Sequence, residues 1–447
     1  MGVVCYNFRV NIFVRCLHNM LFIKNRKKFI ETSATYVAIG VFFSLFSAKN
    51  NLVCSNTCSA SMVSKEYNVP RGKTLFLFNK SLKDFVWEST DENIASVKNG
   101  MVFLKNEGKV KIIAKPNPNS GKNSNLKKEY LVNVAPFENL KEITYTNDDG
   151  VIRIHAVTSK SVKKLKVNLK ISGNTFESSD NRIVRTESGN STCWEIPIDV
   201  TNVEEGKFTA EILTSLDGVS WSNNKNRNVC GTFLSAKKAN SSGCFKRNPS
   251  GKLINLIKDW EGFVPRIEED RLVSDVYNIG YGDVIHCGES FYNNITKAEG
   301  YVSFLKKLNS DIYVRDVNNF ILKNNIECTQ NQFDALVSFS YNLGTSWLYR
   351  SELKDILLST VDSKTGHMNF SLFNLKTYPE NEAIYQKLVK EVLLRHHVLS
   401  PRRCIPGLLY RRISELNMFL YGEYDKKSGR FNKNKYKIPD CIKSKMY

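Results

Sequence analysis

The chain has 447 residues, too many for one small core, and a prior of roughly 100 to 200 residues per domain gives about two to four domains. Its 64 Lys and Arg against 44 Asp and Glu leave a formal net charge of +20. That charge invites a nucleic-acid partner, but the basic residues are spread along the chain without a recognition module or an aromatic-interleaved basic patch, so nucleic acid is excluded.

At the N-terminus, Lys24, Arg26, Lys27 and Lys28 precede an apolar stretch of about Ala34 to Phe46, too short and too poorly flanked for a membrane span. Residues 1–60 therefore read as a signal peptide, with Cys58-Ser59-Ala60 as a small-residue cleavage site and Met20 as an alternative start. An uncleaved signal anchor is the other reading, and a membrane is a partner only in that case. Neither Cys54 nor Cys58 follows the residues that lipidation requires. The expected location is secreted or cell envelope, where a basic protein first meets anionic cell-wall polymers and is steered to them.

Residues 62–236 alternate short β-rich runs with Gly, Asn, Ser and Asp turns, among them Thr74-Leu75-Phe76-Leu77-Phe78, Val110-Lys111-Ile112-Ile113-Ala114 and Leu165-Lys166-Val167-Asn168-Leu169-Lys170-Ile171. This pattern predicts two β-sandwiches in series, 62–136 and 137–236. Pro116 to Lys128 reads as a long hairpin loop. In the first sandwich, Trp87-Glu88-Ser89-Thr90-Asp91, Ala95-Ser96-Val97, Asn99-Gly100-Met101-Val102 and Gly108 to Ala114 resemble the bacterial group 2 immunoglobulin-like domains. The second resembles no family we can name. Residues 237–250 read as a linker to a third domain, 251–424, and 425–447 as a basic polar tail.

The third domain opens with Leu253, Leu256, Ile257 and Trp260, one apolar stripe at i, i+3, i+4 and i+7, stopped by Gly262. Glu261 falls in the last turn, where leaning on the apolar edge would raise its pKa toward a general acid's range. Asp270 follows in the polar run Glu268-Glu269-Asp270-Arg271, which favours the ionised form. Carboxyls held in opposite protonation states are what glycoside hydrolysis uses. Asn278-Ile279-Gly280-Tyr281-Gly282 then reads as a hairpin whose glycines admit a sugar to the backbone. Thr296-x-x-Glu299 and Thr329-x-x-Gln332 are capping boxes opening helices, with further helices expected near 351–359, 381–394 and 408–421. A small hairpin lobe followed by a helical lobe gives an α+β domain with a cleft between the lobes.

Glu261-Gly262, Asp270 nine positions on, and Asn278 to Asp283 resemble the phage-type lysozymes (glycoside hydrolase family 24). The resemblance continues through Gln330 to Phe339, Asn342-Leu343-Gly344 and Gly407 to Leu416, and is greatest to lysozyme domains of low-GC Gram-positive bacteria and their phages. It implies a multidomain chain in which immunoglobulin-like sandwiches precede an α+β lysozyme-like domain. It also implies hydrolysis, with inversion, of the β-1,4 bond between N-acetylmuramic acid and N-acetylglucosamine in peptidoglycan, for lysis or wall remodelling. Glu261 and Asp270 would be catalytic, and Asn278, Tyr281 and Gly282 would contact substrate. Asn278 stands where the family has Thr, and Asp283 where it has His. The Asp270 to Asn278 stretch is about two residues longer than usual, which leaves Asp275 as a rival base. Phe333, Leu336, Val337 and Tyr341 repeat at helical spacing and read as core. Arg411 and Arg412 read as structural salt-bridge partners. The alternative function is a catalytically weak surface protein or adhesin that binds wall glycan.

Of eleven cysteines, Cys193, Cys230, Cys244, Cys287, Cys328, Cys404 and Cys441 follow Ala60. Cys193 with Cys230 is the expected disulfide, and an odd count leaves at least one unpaired. Without a CxxC pair or clustered His-Cys spacing, no metal and no cofactor are assigned. His396-His397 reads as a polar helix face. All candidate catalytic groups lie after Trp260, so residues before about 245 are expected to position the enzyme without entering the chemistry.

Overall fold

The computed structural model describes residues 63–426, apart from residues 79, 121–126, 149, 179, 224–226, 240, 271–274, 311, 363–367, 396 and 400–401. The expected signal segment, most of the basic tail and His396 lie outside the described residues.

In the first sandwich, β1 (Val63–Pro70), β2 (Lys73–Phe76), β3 (Phe85–Ser89), β4 (Ala95–Lys98), β5 (Met101–Leu104), β6 (Gly108–Pro116) and β7 (Lys128–Ala135) form two layers. One sheet runs β1-β7-β6-β3, with β1 parallel to β7; the other holds β2, β5 and β4. Strand alternation turns Val110, Ile112 and Ala114 of β6 inward onto Leu75, Val102 and Leu104 of the facing sheet. Trp87 stacks on Tyr130 with ring centroids 6.0 Å apart.

The second sandwich comprises β8 (Leu140–Asp148), β9 (Val151–Ser159), β10 (Lys164–Ile171), β11 (Asn174–Glu177), β12 (Val184–Ser188), β13 (Ser191–Asp199), β14 (Gly206–Ser215), β15 (Ser222–Asn223) and β16 (Val229–Phe233). Sheet β12-β13-β9-β8 faces β11-β10-β14-β15, with β16 also on β14. Ile152, Ile154, Trp194 and Ile196 meet Leu165, Val167, Phe208 and Ile212 between them. The expected Cys193–Cys230 disulfide is absent; both thiols are free. Strand parity is the reason. Trp194 and Ile196 of β13, and Val229 and Phe233 of β16, are the buried positions, so Cys193 and Cys230 point out of opposite sheets and cannot be bridged.

After a helical turn at Ala236–Ala239, the third domain has α1 (Gly251–Glu261), the antiparallel sheet β17 (Val264–Glu269), β18 (Tyr277–Gly280) and β19 (Asp283–Ile285), then β20 (Ser290–Tyr292). The helices α2 (Lys297–Ser310), α3 (Ile312–Lys323), α4 (Gln330–Leu343), α5 (Glu352–Leu358), α6 (Glu382–Leu393) and α7 (Pro406–Tyr421) follow. Both expected capping boxes form: the Thr296 and Thr329 N–H groups donate to Glu299 and Gln332 at 2.8 and 2.9 Å. Helix α4 runs through the core, where Phe333, Leu336, Val337 and Tyr341 are buried.

The three domains are joined by more than a linker. Strand β20 adds antiparallel to β2 of the first sandwich, pairing Thr74 with Phe291. Phe76 and Phe78 pack on Tyr277 of β18 at 5.1 and 5.8 Å. From the second sandwich, Ser191 donates to the capping carboxylate Glu299, and Glu142 pairs with Lys306 at 2.6 Å.

Candidate active site

Ser250 caps α1 by accepting from Leu253 N–H, and Leu253, Ile254, Leu256 and Ile257 bury its apolar face. Gly262 ends the helix at φ 70°, a conformation that admits glycine readily, and its N–H donates to the Lys258 carbonyl. The helix therefore stops with Glu261 as its final residue. The expected apolar setting of this carboxyl is corrected: Oε1 accepts from Arg411 Nη1 of α7 at 2.6 Å. Arg411 is 4% exposed and Glu261 20%. Arg411 is thus a salt-bridge partner, as its residue type suggested, but its partner is the candidate acid.

Gly282, between β18 and β19, lies against the same carboxyl. A Cβ there would stand 3.0 Å from Glu261 Oε2, and φ is +77°, so both space and conformation call for glycine. Tyr281 does not fit its expected place. Its ring is 7% exposed between Phe263 and Phe304, and its carbonyl accepts from the buried Tyr341 hydroxyl at 2.9 Å. It is a core residue that holds the hairpin to α4. Burial, with Asp283 and Glu261 nearby, pushes the Tyr341 phenol well above its ordinary value.

Asp270 follows β17, half-buried, and Asn278 Nδ2 approaches its Oδ2 at 3.4 Å. Asp275 sits at φ 64° with its carboxylate 3.5 Å from Lys83 of the first sandwich, and its N–H donates to Glu269 at 2.8 Å. That is a turn residue committed to a neighbouring domain. Asp283 is a buried strand-end residue paired with Lys307 at 3.2 Å. Arg412 and Glu415, both almost fully buried, pair at 2.7 Å; Glu415 also accepts from Ser338 and Arg412 donates to Asn342. This network anchors α7, and so Arg411, to α4. Among the described residues no group of three or more His, Cys, Asp or Glu could hold a metal ion.

Chemically, the arrangement offers a fixed carboxyl at a helix end, a glycine packed against it, and a second carboxylate beside an amide on the adjoining hairpin. A cavity of about 810 Å³ at Lys252, Asp259 and Tyr424 reaches neither carboxylate, so cavity size does not mark this site.

Residues 258–390 match the family model described as phage lysozyme. The chain is 29% identical to the endolysin of Bacillus phage B103 over 170 residues, which is 38% of this chain and 53% of that protein. It is 33% identical to the endolysin of Bacillus phage PZA over 104 residues, 23% of this chain and 38% of that one. The chain thus spans about half, or less, of the curated relatives it matches. Among solved structures, the muramidase domain of SpmX from Asticaccaulis excentricus aligns at 24% identity and a TM-score of 0.27, covering 39% of this chain and 97% of that one. The matched family segment contains Glu261, Asp270 and the whole hairpin, and ends before Arg411.

Proposed function

We propose that this chain is a peptidoglycan hydrolase that cleaves the β-1,4 bond between N-acetylmuramic acid and N-acetylglucosamine, acting outside the cell or in its envelope. Glu261 is the general acid, delivering its proton from Oε2, the oxygen on the Gly282 side, while Arg411 holds Oε1. Asp270 is the base that activates water on the opposite face of the sugar, giving inversion, and the Asn278 amide orients that water or a substrate amide. Gly282 lets the glycan approach the backbone. The net charge of +20 supports attraction to anionic wall polymers.

The observation that carries the reading is the Glu261 carboxyl, fixed by a buried guanidinium and facing a glycine of the hairpin that also carries Asn278 beside Asp270. Release of reducing ends from purified walls by the full chain tests it. A folded protein that binds walls without producing reducing ends would leave the glycan-binding alternative standing in its place.

A further inference from the structure

The connection between β14 and β15, residues 216–221, gathers exposed apolar side chains. Leu216, Val219 and Trp221 are 47%, 80% and 41% exposed, and elsewhere among the described residues no six-residue stretch holds more than one large exposed apolar side chain. Such a cluster marks an interaction site, whereas apolar residues exposed singly do not. The loop is held in this shape by its own polar groups. Asp217 Oδ1 accepts from the Val219 and Ser220 N–H groups at 2.8 and 2.7 Å and from the Ser215 hydroxyl at 3.0 Å. The Gly218 N–H donates to that hydroxyl at 2.9 Å, and a Cβ on Gly218 would meet nothing within 4 Å, so the turn stands clear of the sandwich. The neighbouring connection supplies charge. The Lys163 N–H donates to the Ser215 carbonyl at 2.8 Å, and Lys164 is the cross-strand partner of Ser215, so both lie beside the base of the loop. Both are exposed, and neither has an ion-pair partner among the described residues.

We infer that this end of the second sandwich is a contact for the surface of an anionic lipid bilayer. Val219 and Leu216 would enter the acyl boundary, Trp221 would lie at headgroup level, and Lys163 and Lys164 would meet the lipid phosphates. The inference stands apart from the hydrolase reading, because it assigns a binding surface on another domain. The combination of side chains selects lipid. Val219 and Leu216 have no group with which to bind the hydroxyls of a glycan, and they gain only where hydrocarbon replaces water. A second copy docked through the same loop would bring the lysines together, and like charges repel. An anionic bilayer answers both halves of the surface at once. The Asp217 charge is met inside the loop by its three donors.

The test reads Trp221 itself in the full chain. The probe is vesicles of phosphatidylcholine and phosphatidylglycerol in equal parts, brominated on the acyl chains near the headgroup so that they quench tryptophan on contact. The wild type should lose a component of its tryptophan emission that Trp221→Phe lacks, however the rest of the chain behaves. Val219→Asp should raise the lipid concentration for half of that quenching by about tenfold or more, the scale for one buried aliphatic side chain. Lys163→Ala and Lys164→Ala should each raise it by about fivefold, and added salt should erase that difference. These side chains are exposed, so melting curves should match the wild type's; if Val219→Asp melts early, Val219→Ser takes its place. Emission quenched equally in the wild type and Trp221→Phe, or quenching unmoved by the Val219 variant, would overturn the contact. Equal quenching by brominated phosphatidylcholine alone would overturn its anionic selectivity. Should Val219→Asp instead weaken binding to lipid-free walls, or abolish a concentration-dependent dimer, the partner is glycan or a second copy and the lipid assignment fails.

Discussion

Arg411 Nη1 donates to Glu261 Oε1 at 2.6 Å across 150 positions of chain. Helix α7 thereby fixes the last side chain of α1, and Arg411 is held in turn by Glu415 at 3.4 Å. Arg411→Lys keeps the charge but loses the planar fork that reaches both carboxylates. Activity on purified walls should fall by about 10²-fold, the scale of an ångström-sized misplacement, and in kcat more than in KM. Glu415 retains Arg412 and Ser338, so the thermal midpoint should move little. Unchanged kcat in the folded Lys variant would detach Arg411 from the chemistry.

Asp270 and Asp275 make different demands on their side chains. Asp275 holds a left-handed turn that asparagine also tolerates, and its ion pair with the exposed Lys83 is worth about 0–1 kcal/mol. Asp275→Asn should therefore be nearly silent. Asp270→Asn should lose activity by roughly 10² or more. The reverse ranking, measured as reducing ends from one wall preparation, would make Asp275 the base.

Fully buried Asp334 ties the α1 cap to α4, accepting from Ser250, Gln330 and Tyr424. Burial pushes its carboxyl up from 3.8 to about 6 despite those hydrogen bonds. The folded state thus binds the extra proton between pH 4 and 6, so this residue's contribution to stability falls as pH rises through that window and is flat above it. In denaturant melts, Asp334→Asn should gain on the wild type by on the order of 3 kcal/mol between pH 4 and 7. A stability gap independent of pH would show that Asp334 is ionised throughout.

The domain junctions make the third domain dependent on what precedes it. Without residues before 245, β20 loses its β2 partner, Tyr277 loses Phe76 and Phe78, and Glu299 loses Ser191. A chain of residues 245–447 should melt well below the full chain and bind an apolar dye, with lower activity even on soluble glycan fragments. Equal melting and equal turnover would restore the simpler picture of sandwiches that only deliver the enzyme.

Local signals carried most of the fold. The stripe of Leu253, Leu256 and Ile257, the two capping boxes and the sandwich alternation all depend on neighbours within a few residues, and such patterns can be read in order along a chain. The same alternation argues against a Cys193–Cys230 bridge, since both thiols sit one residue off the buried positions of their strands. The family resemblance places Tyr281 against substrate, but a resemblance does not say which way a ring turns; the structure buries it between Phe263 and Phe304. The pairing of Glu261 with Arg411, and of the three-residue β20 with β2, left no local trace. Their partners are 150 and more than 200 residues away, and geometry alone brings them together.

The central claim is that Glu261 donates the proton. Glu261→Gln keeps the size of the side chain and an acceptor for Arg411 but has no acidic proton to give. The decisive measurement is the initial rate of reducing-end release from purified peptidoglycan by the full-length Gln variant, shown by its melting curve to be folded. A loss of roughly 10² to 10⁴ or more, with wall binding retained, is the expected result. Hydrolysis near the wild-type rate would contradict it.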